Sequence, residues 1–396
     1  MKRLLKQNVL LKKINNYLYD SELPININYL YNAGSLLGFI LVVQIISGFF
    51  LASYYVADIS LAFESIEYIM REVPQGYIIR YLHANGASLF FVVVYLHIAR
   101  GLLYGSYTKA RMSTWTVGVI ILLVMIITAF IGYSLVMGQM SYWAIAVITN
   151  LLTVIPYFGH DIVEFIYGGF NIGNSTLTRF YALHYILPII IVALVLAHLI
   201  TLHNVGGTNP LGISTPNGTK STKSTNLITF HPYFTIKDLL GIFGFAIILL
   251  FFVFFYPNLL GHTDNYIEAN SLVTPAHIQP EFYLLFYYMG LRSIPNKTLG
   301  VVVLLSFILV LLFLPFLHKG IINTGKFRPI YRYLLFILFI DFLLGTYLGG
   351  TEVAEPYITL ARICSGIYLI FFLGVVPIVS LIESGLFIIL QKKRIR

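Results

Sequence analysis

The chain has 396 residues, of which 58% are apolar and only 10% charged, against roughly 45–50% and 25% in soluble domains. So few charges cannot cover a water-exposed surface of that size, which excludes soluble, disordered, collagenous and disulfide-rich secreted classes and places the chain in a bilayer. One cysteine, Cys364, excludes an internal disulfide and a cysteine-ligated cluster, and the net charge of +9 reads as membrane orientation rather than nucleic-acid binding.

The first residues, MKRLLKQNVLLKKINNY, read as an amphipathic entry segment on the cytoplasmic or matrix side, not as a cleaved signal. A bilayer-spanning helix needs about 20 apolar residues. Stretches of that kind predict eight spans, near 32–54, 77–103, 113–134, 178–203, 236–256, 296–317, 331–349 and 356–384. The uncharged run 112–160 is too long for one span. Gly138, Asn150 and Pro156 divide it and leave 138–150 as a short interfacial helix. Segment 214–226 reads as a polar, flexible connection.

Eight spans put both termini on one side, called inner here. Eighteen of the 25 Lys and Arg fall on that side, in the termini and in the connections after spans two, four and six. The opposite, outer connections collect acids, among them Asp58, Glu64, Glu67, Asp161, Asp264 and Glu281. This bias fits eight spans with both termini inside. The long outer connections are rich in apolar and aromatic residues and predict a structured cap. The fold class is therefore an all-α integral membrane protein with eight transmembrane helices. Residues 1–210 form a four-helix bundle with its outer loops, and residues 211–396 a second four-helix region.

Four histidines lie inside the apolar spans: His83 and His97 on the second, His184 and His198 on the fourth. Each pair is 14 residues apart. At 100° per residue that leaves the two rings about 40° apart on one face, with a rise of about 21 Å. Both spans run from outside to inside, so His83 meets His184 at the outer level and His97 meets His198 at the inner level. Buried histidines can simply hydrogen-bond, but duplicated spacing on two parallel helices argues against four coincidences. Two ligands per level are too few for zinc. They suit haem, whose iron takes two axial imidazoles and then has no open position, a state fitted to electron transfer.

Gly34 and Gly48 on the first span and Gly118 and Gly132 on the third repeat the same 14-residue step. These spans run the other way, so Gly34 and Gly118 fall at the inner level, Gly48 and Gly132 at the outer. Glycine admits a flat ligand close to the backbone. Close helix packing is the plainer use of small residues in membranes, but the shared period and depth favour haem contact. Arg80 and Arg100 flank the histidines, placed either to pair with propionates or to reach the interface.

RYLHANGASLFF (80–91), GQMSYWAIAVITNL (138–151), RFYALHYILP (179–188), PEFYLL (280–285) and LRSIPNK (291–297) resemble the cytochrome b family of the respiratory quinol–cytochrome c oxidoreductase. The match runs from about residue 15 to 385. The 14-residue step on both histidine spans is that of the respiratory type. The photosynthetic relative has one residue more on the fourth span and is split into two chains. A chain of this length with no export signal looks mitochondrially encoded, which implies the mitochondrial inner membrane with both termini in the matrix.

The resemblance implies two haems b, with ubiquinol and ubiquinone as substrates. Quinol is oxidised at the outer site. One electron leaves to a Rieske iron–sulfur partner, and the other crosses to the inner site and reduces quinone, with proton translocation. It also implies a c-type haem subunit, accessory subunits, a homodimer of complexes and no nucleic acid. Matching positions put Glu281, Tyr133, Tyr288, Phe130, Met140, Trp143 and Ala144 at the outer quinol site. His203, Asp238, Asn32 and Ser35 match the inner quinone site. Glu281 lies in an otherwise apolar segment between Pro275 and Pro280 and can accept a proton.

Several positions depart from the family pattern. Val136-Met137 replace Pro-Trp, and PEFY replaces PEWY. Phe286 stands in place of proline, which leaves the shape of that segment open. Ala144 stands where glycine is usual, and its methyl should narrow the outer pocket and weaken methoxyacrylate-type inhibitors. A secondary transporter would explain spans and buried polar groups but not the duplicated histidine and glycine periods. A haem b membrane anchor would need fewer spans and no PEFY-like loop.

Overall fold

The computed structural model describes residues 11–12, 15–16, 19–213 and 226–395. Most of the N-terminal entry segment and nearly all of the polar connection 214–226 lie outside the described residues. Among the described residues, eight helices are long and apolar enough to cross a membrane. They are α1 (Ala33–Ala52), α3 (Gly76–Leu103), α4 (Met112–Ser134), α7 (Asn174–Val205), α8 (Tyr233–Phe255), α10 (Lys297–Leu317), α11 (Pro329–Gly349) and the pair α12 (Tyr357–Ile370) and α13 (Val376–Ile395). Every predicted span is present. The eighth runs on to Lys393. Pro377 has no N–H for the carbonyl four residues back, and the chain widens into a π-turn at Phe371–Val375 and continues as helix.

Four shorter helices build the outer cap: α2 (Ala62–Arg71), α5 (Gln139–Asn150), α6 (Gly159–Tyr167) and α9 (Leu285–Arg292). The short helix predicted over 138–150 is α5. At the inner end, β1 (Glu22–Pro24) pairs antiparallel with β2 (Leu227–Thr229), so the N-terminal segment and the fourth connection share a side. At the outer end, Asn174 holds Asp58 and the backbone N–H of Ile59, and Gly138 bridges to Glu268. The first, third and fifth connections therefore meet at one end.

α1 packs along α3 and α4 along α7, with α8 laid against α1 and α3. Many aliphatic and aromatic side chains on these helices are exposed, including Ile189 and Leu196 on α7 and Phe243 and Phe254 on α8. In a bilayer such side chains face lipid, so their exposure carries no hydrophobic penalty. The C-terminal helices α10, α11 and α12 pack around α9. The two halves are tied by Trp115 on α4, whose indole N–H donates to the Leu311 carbonyl at 2.6 Å, and by Tyr95 on α3, whose hydroxyl donates to the Tyr283 carbonyl at 2.6 Å.

Candidate functional site

The 14-residue spacing does what helix geometry requires. The rings of His83 and His184 stand 6.2 Å apart between centroids, at 80° to one another. Those of His97 and His198 stand 6.4 Å apart, at 55°. Two imidazole–metal bonds of about 2 Å each, plus the distance from ring centre to nitrogen on both sides, span about that gap. Among the described residues no three His, Cys, Asp or Glu side chains cluster as a metal site. A metal between either pair would therefore take its remaining ligands from a bound group rather than from the described side chains, a donor set that a haem fits.

The outer rings are oriented from behind. The Nδ1 of His83 lies 2.9 Å from Ser47 Oγ, whose own proton goes to the Val43 carbonyl at 2.7 Å. The serine oxygen therefore accepts from Nδ1–H. His184 Nδ1 likewise donates to the Thr128 carbonyl at 2.9 Å. Both arrangements leave the Nε2 lone pair free for a metal. At the inner level Arg100 Nη2 lies 3.2 Å from His97 Nδ1, and its guanidinium stacks 4.9 Å over the Tyr31 ring. His198 lies against the backbone of Thr114.

Each of the four glycines faces one histidine. A Cβ on Gly34 would lie 3.7 Å from His97 Cε1, on Gly48 3.1 Å from His83 Cε1, and on Gly118 3.2 Å from His198 Cε1. On Gly132 it would overlap the His184 ring. The pairing sets Gly34 and Gly118 beside the inner histidines and Gly48 and Gly132 beside the outer ones.

A cavity of about 410 Å³ opens at the outer level. His83, His184, Gly48, Gly132, Arg80, Tyr133 and Glu281 all line it, so the outer histidine pair and the PEFY carboxyl share one chamber. Glu281 follows Pro280 in extended conformation and precedes the turn Phe282–Leu284. Burial pushes its carboxyl up to about 7, against the opposing pull of Arg80 and of the Tyr133 hydroxyl. Tyr266 and Tyr283 also feel its charge. Tyr283 stacks on Phe91, the ring centroids 4.4 Å apart and the planes nearly parallel.

The other outer-site candidates stand apart from the chamber lining. Met140 and Ala144 are buried on α5. Phe130 packs edge-on against Phe180, and Trp143 against Tyr142. The Tyr288 hydroxyl donates to the Ile278 carbonyl at 3.0 Å. What brings α5 beside the fifth connection is a polar seam that sequence reasoning missed. Gln139 N–H donates to the Ile267 carbonyl and its side chain to the Val273 carbonyl, while Ser141 donates to Asn265 Oδ1. Phe286, which replaces a proline, is also unforeseen in its role. It is fully buried among Phe307, Phe342 and Tyr368 and anchors α9 in the core.

At the inner end Asn32, Ser35 and Asp238 come together. Asn32 is buried and donates to the Lys237 carbonyl at 2.9 Å, and Ser35 donates to the Asn32 carbonyl at 2.8 Å. Asp238, on the first turns of α8, lies beside Ser35. His203 lies half-buried in the last turn of α7.

The chain matches two family models, described as Cytochrome b/b6/petB over residues 18–206 and Cytochrome b(C-terminal)/b6/petD over residues 268–369. Among curated proteins it is 50% identical over 384 residues to cytochrome b of Saccharomyces cerevisiae, covering 97% of this chain and 98% of that one. It is 49% identical over 382 residues to cytochrome b of Schizophyllum commune, covering 96% and 98%. Among solved structures it is similar to a chain of a hyperthermophilic respiratory complex III, with a TM-score of 0.89 and 34% identity over 96% of this chain and 99% of that chain.

Proposed function

This chain belongs to the cytochrome b family, and from that premise we propose how its own residues carry the haem-b subunit's work in a quinol–cytochrome c oxidoreductase. The family binds haem b and works within complex III, across the membrane. Our reading assigns one haem b to His83 and His184 and a second to His97 and His198. The observation that carries it is the pair of histidine gaps, 6.2 and 6.4 Å, each flanked by two glycines. Arg80 and Arg100 would hold the propionates, as their placement beside the two histidine levels supports. The haem irons supply one-electron carriage across the bilayer.

At the outer site, Glu281 accepts the quinol hydroxyl proton. A carboxyl poised near neutrality is suited to take a proton and then release it outward. The Tyr133 hydroxyl shares the chamber with that carboxyl and is free to meet the quinol, and Arg80 keeps its charged form accessible. One electron then goes to a Rieske-type partner and the other inward. At the inner site His203 and Asp238, with Asn32 and Ser35, hydrogen-bond the quinone carbonyls and supply protons taken up from that side. Residues 1–210 hold the haems, and residues 211–396 carry the loop with Glu281. We place the chain in the mitochondrial inner membrane with both termini in the matrix. The iron–sulfur and c-type haem centres belong to partner subunits, because one cysteine leaves no ligands for them here; accessory subunits and a homodimer of complexes are what the resemblance implies. A reduced-minus-oxidised spectrum of the purified complex tests the reading. Two b-type components support it, and a complex without b-type haem refutes it.

A further inference from the structure

Tyr288 is held twice. Its hydroxyl donates to the Ile278 carbonyl at 3.0 Å, closing a loop of chain around Pro280 and Glu281. Its ring carries the Arg292 guanidinium 4.8 Å from its centroid. Arg292 is itself fixed: Nη2 donates to the Leu348 carbonyl at 3.0 Å and to the Thr351 carbonyl at 2.8 Å, at and just beyond the outer end of α11. α9 approaches α11 closely because glycines face it. A Cβ on Gly345 would stand 2.8 Å from Phe286 and Met289, and Gly349 lies against the Leu285 carbonyl. Arg362 on α12 secures the far end of α9 through the Ser293 carbonyl at 3.0 Å.

We infer that Arg292 is a positioning residue for outer-site quinol oxidation: it fixes Tyr288, and through the Tyr288–Ile278 bond it fixes the turn that carries Glu281, using the end of α11 as its foundation. The inference rests on the reading of Glu281 as proton acceptor. A planar guanidinium can stack on the ring while giving hydrogen bonds in its own plane to two carbonyls. A lysine ammonium can make only part of that set.

The test uses the whole complex carrying R292M, R292K or Y288F, normalised to haem content. R292M should lower outer-site turnover by about tenfold, raise the KM for quinol and shift the pH at which turnover falls, since small displacements of a reacting group are costly in rate. R292K should recover part of the loss. The R292K/Y288F double variant should lose less than the two single losses multiplied, because both act along one route. E281Q run in parallel separates the two readings. If E281Q abolishes the pH dependence while R292M changes only the amount of assembled complex, the inference on Arg292 is overturned and the Glu281 reading stands. If E281Q leaves rate and pH dependence intact, the Glu281 reading fails. Where R292M does not assemble, R292K and Y288F decide on KM and rate alone, and parental values for both overturn the inference.

Discussion

Gly132 lies so close to His184 that even a methyl group there would overlap the imidazole ring, whereas Gly34 leaves its histidine, His97, at an ordinary 3.7 Å. The four glycines are thus graded. Inserting a methyl where no space exists costs about 1–3 kcal/mol and moves its neighbour. G132A should displace the His184 ring and deplete the outer b component selectively. G48A and G118A, with contacts of 3.1 and 3.2 Å, should perturb it less, and G34A least. Optical spectra of the four variants check the order. Equal loss in all four would remove the glycines from the haem account.

Glu281 gives a pH prediction. Its carboxyl titrates near 7 because burial disfavours the charged form. Above that pH it is ionised and can accept a proton, and below it is already protonated. Outer-site turnover should therefore fall as pH drops through about 7. E281Q should remove that dependence and lower the rate by about a hundredfold. Stopped-flow reduction of the b haems with the inner site blocked gives both numbers.

A different kind of residue is exposed by the inner end of the C-terminal region. Arg328 and Glu383, 1% and 5% exposed, form an ion pair at 2.8 Å. Glu383 Oε1 also accepts from the backbone N–H groups of Ile330 and Tyr331. E383L leaves a buried arginine charge without its partner and should destabilise the protein by about 3–5 kcal/mol. R328M/E383L should be milder than E383L alone. Thermal inactivation of the complex measures both.

The sequence-based expectation for Ala144 can be tested on its own terms. Ala144 is 5% exposed on α5 and outside the lining of the outer chamber, so A144G tests whether an inhibitor reaches α5, where it would open the space of one methyl group. A difference of that size changes binding by about tenfold or more. The variant should bind methoxyacrylate-type inhibitors more tightly. Unchanged inhibition would separate Ala144 from the outer pocket.

Much of this was legible in the sequence because helices convert spacing into direction and depth. His83, His97, His184 and His198 needed only a period of 3.6 residues and a span direction, and the same arithmetic put each glycine at its level. Charge-free runs gave the spans because a bilayer demands them. What sequence could not show depends on partners far apart in the chain. Arg328 meets Glu383 across 55 residues. Gln139 and Ser141 meet a connection more than a hundred residues later. Phe286 reads as a disruption of a family motif, yet it fills the space between three helices. The inner polar group of Asn32, Ser35 and Asp238 was found only through resemblance, since each alone is an ordinary interfacial residue.

The central claim is that two histidine pairs at two depths hold two separate haems. Substituting His97 with leucine and counting haem b against the complex's c-type haem tests it most directly, with the potential of the remaining component recorded. One b component should disappear, and the other should keep the spectrum and potential of the His83–His184 pair. Retention of both components, with the parental haem count, would contradict the assignment.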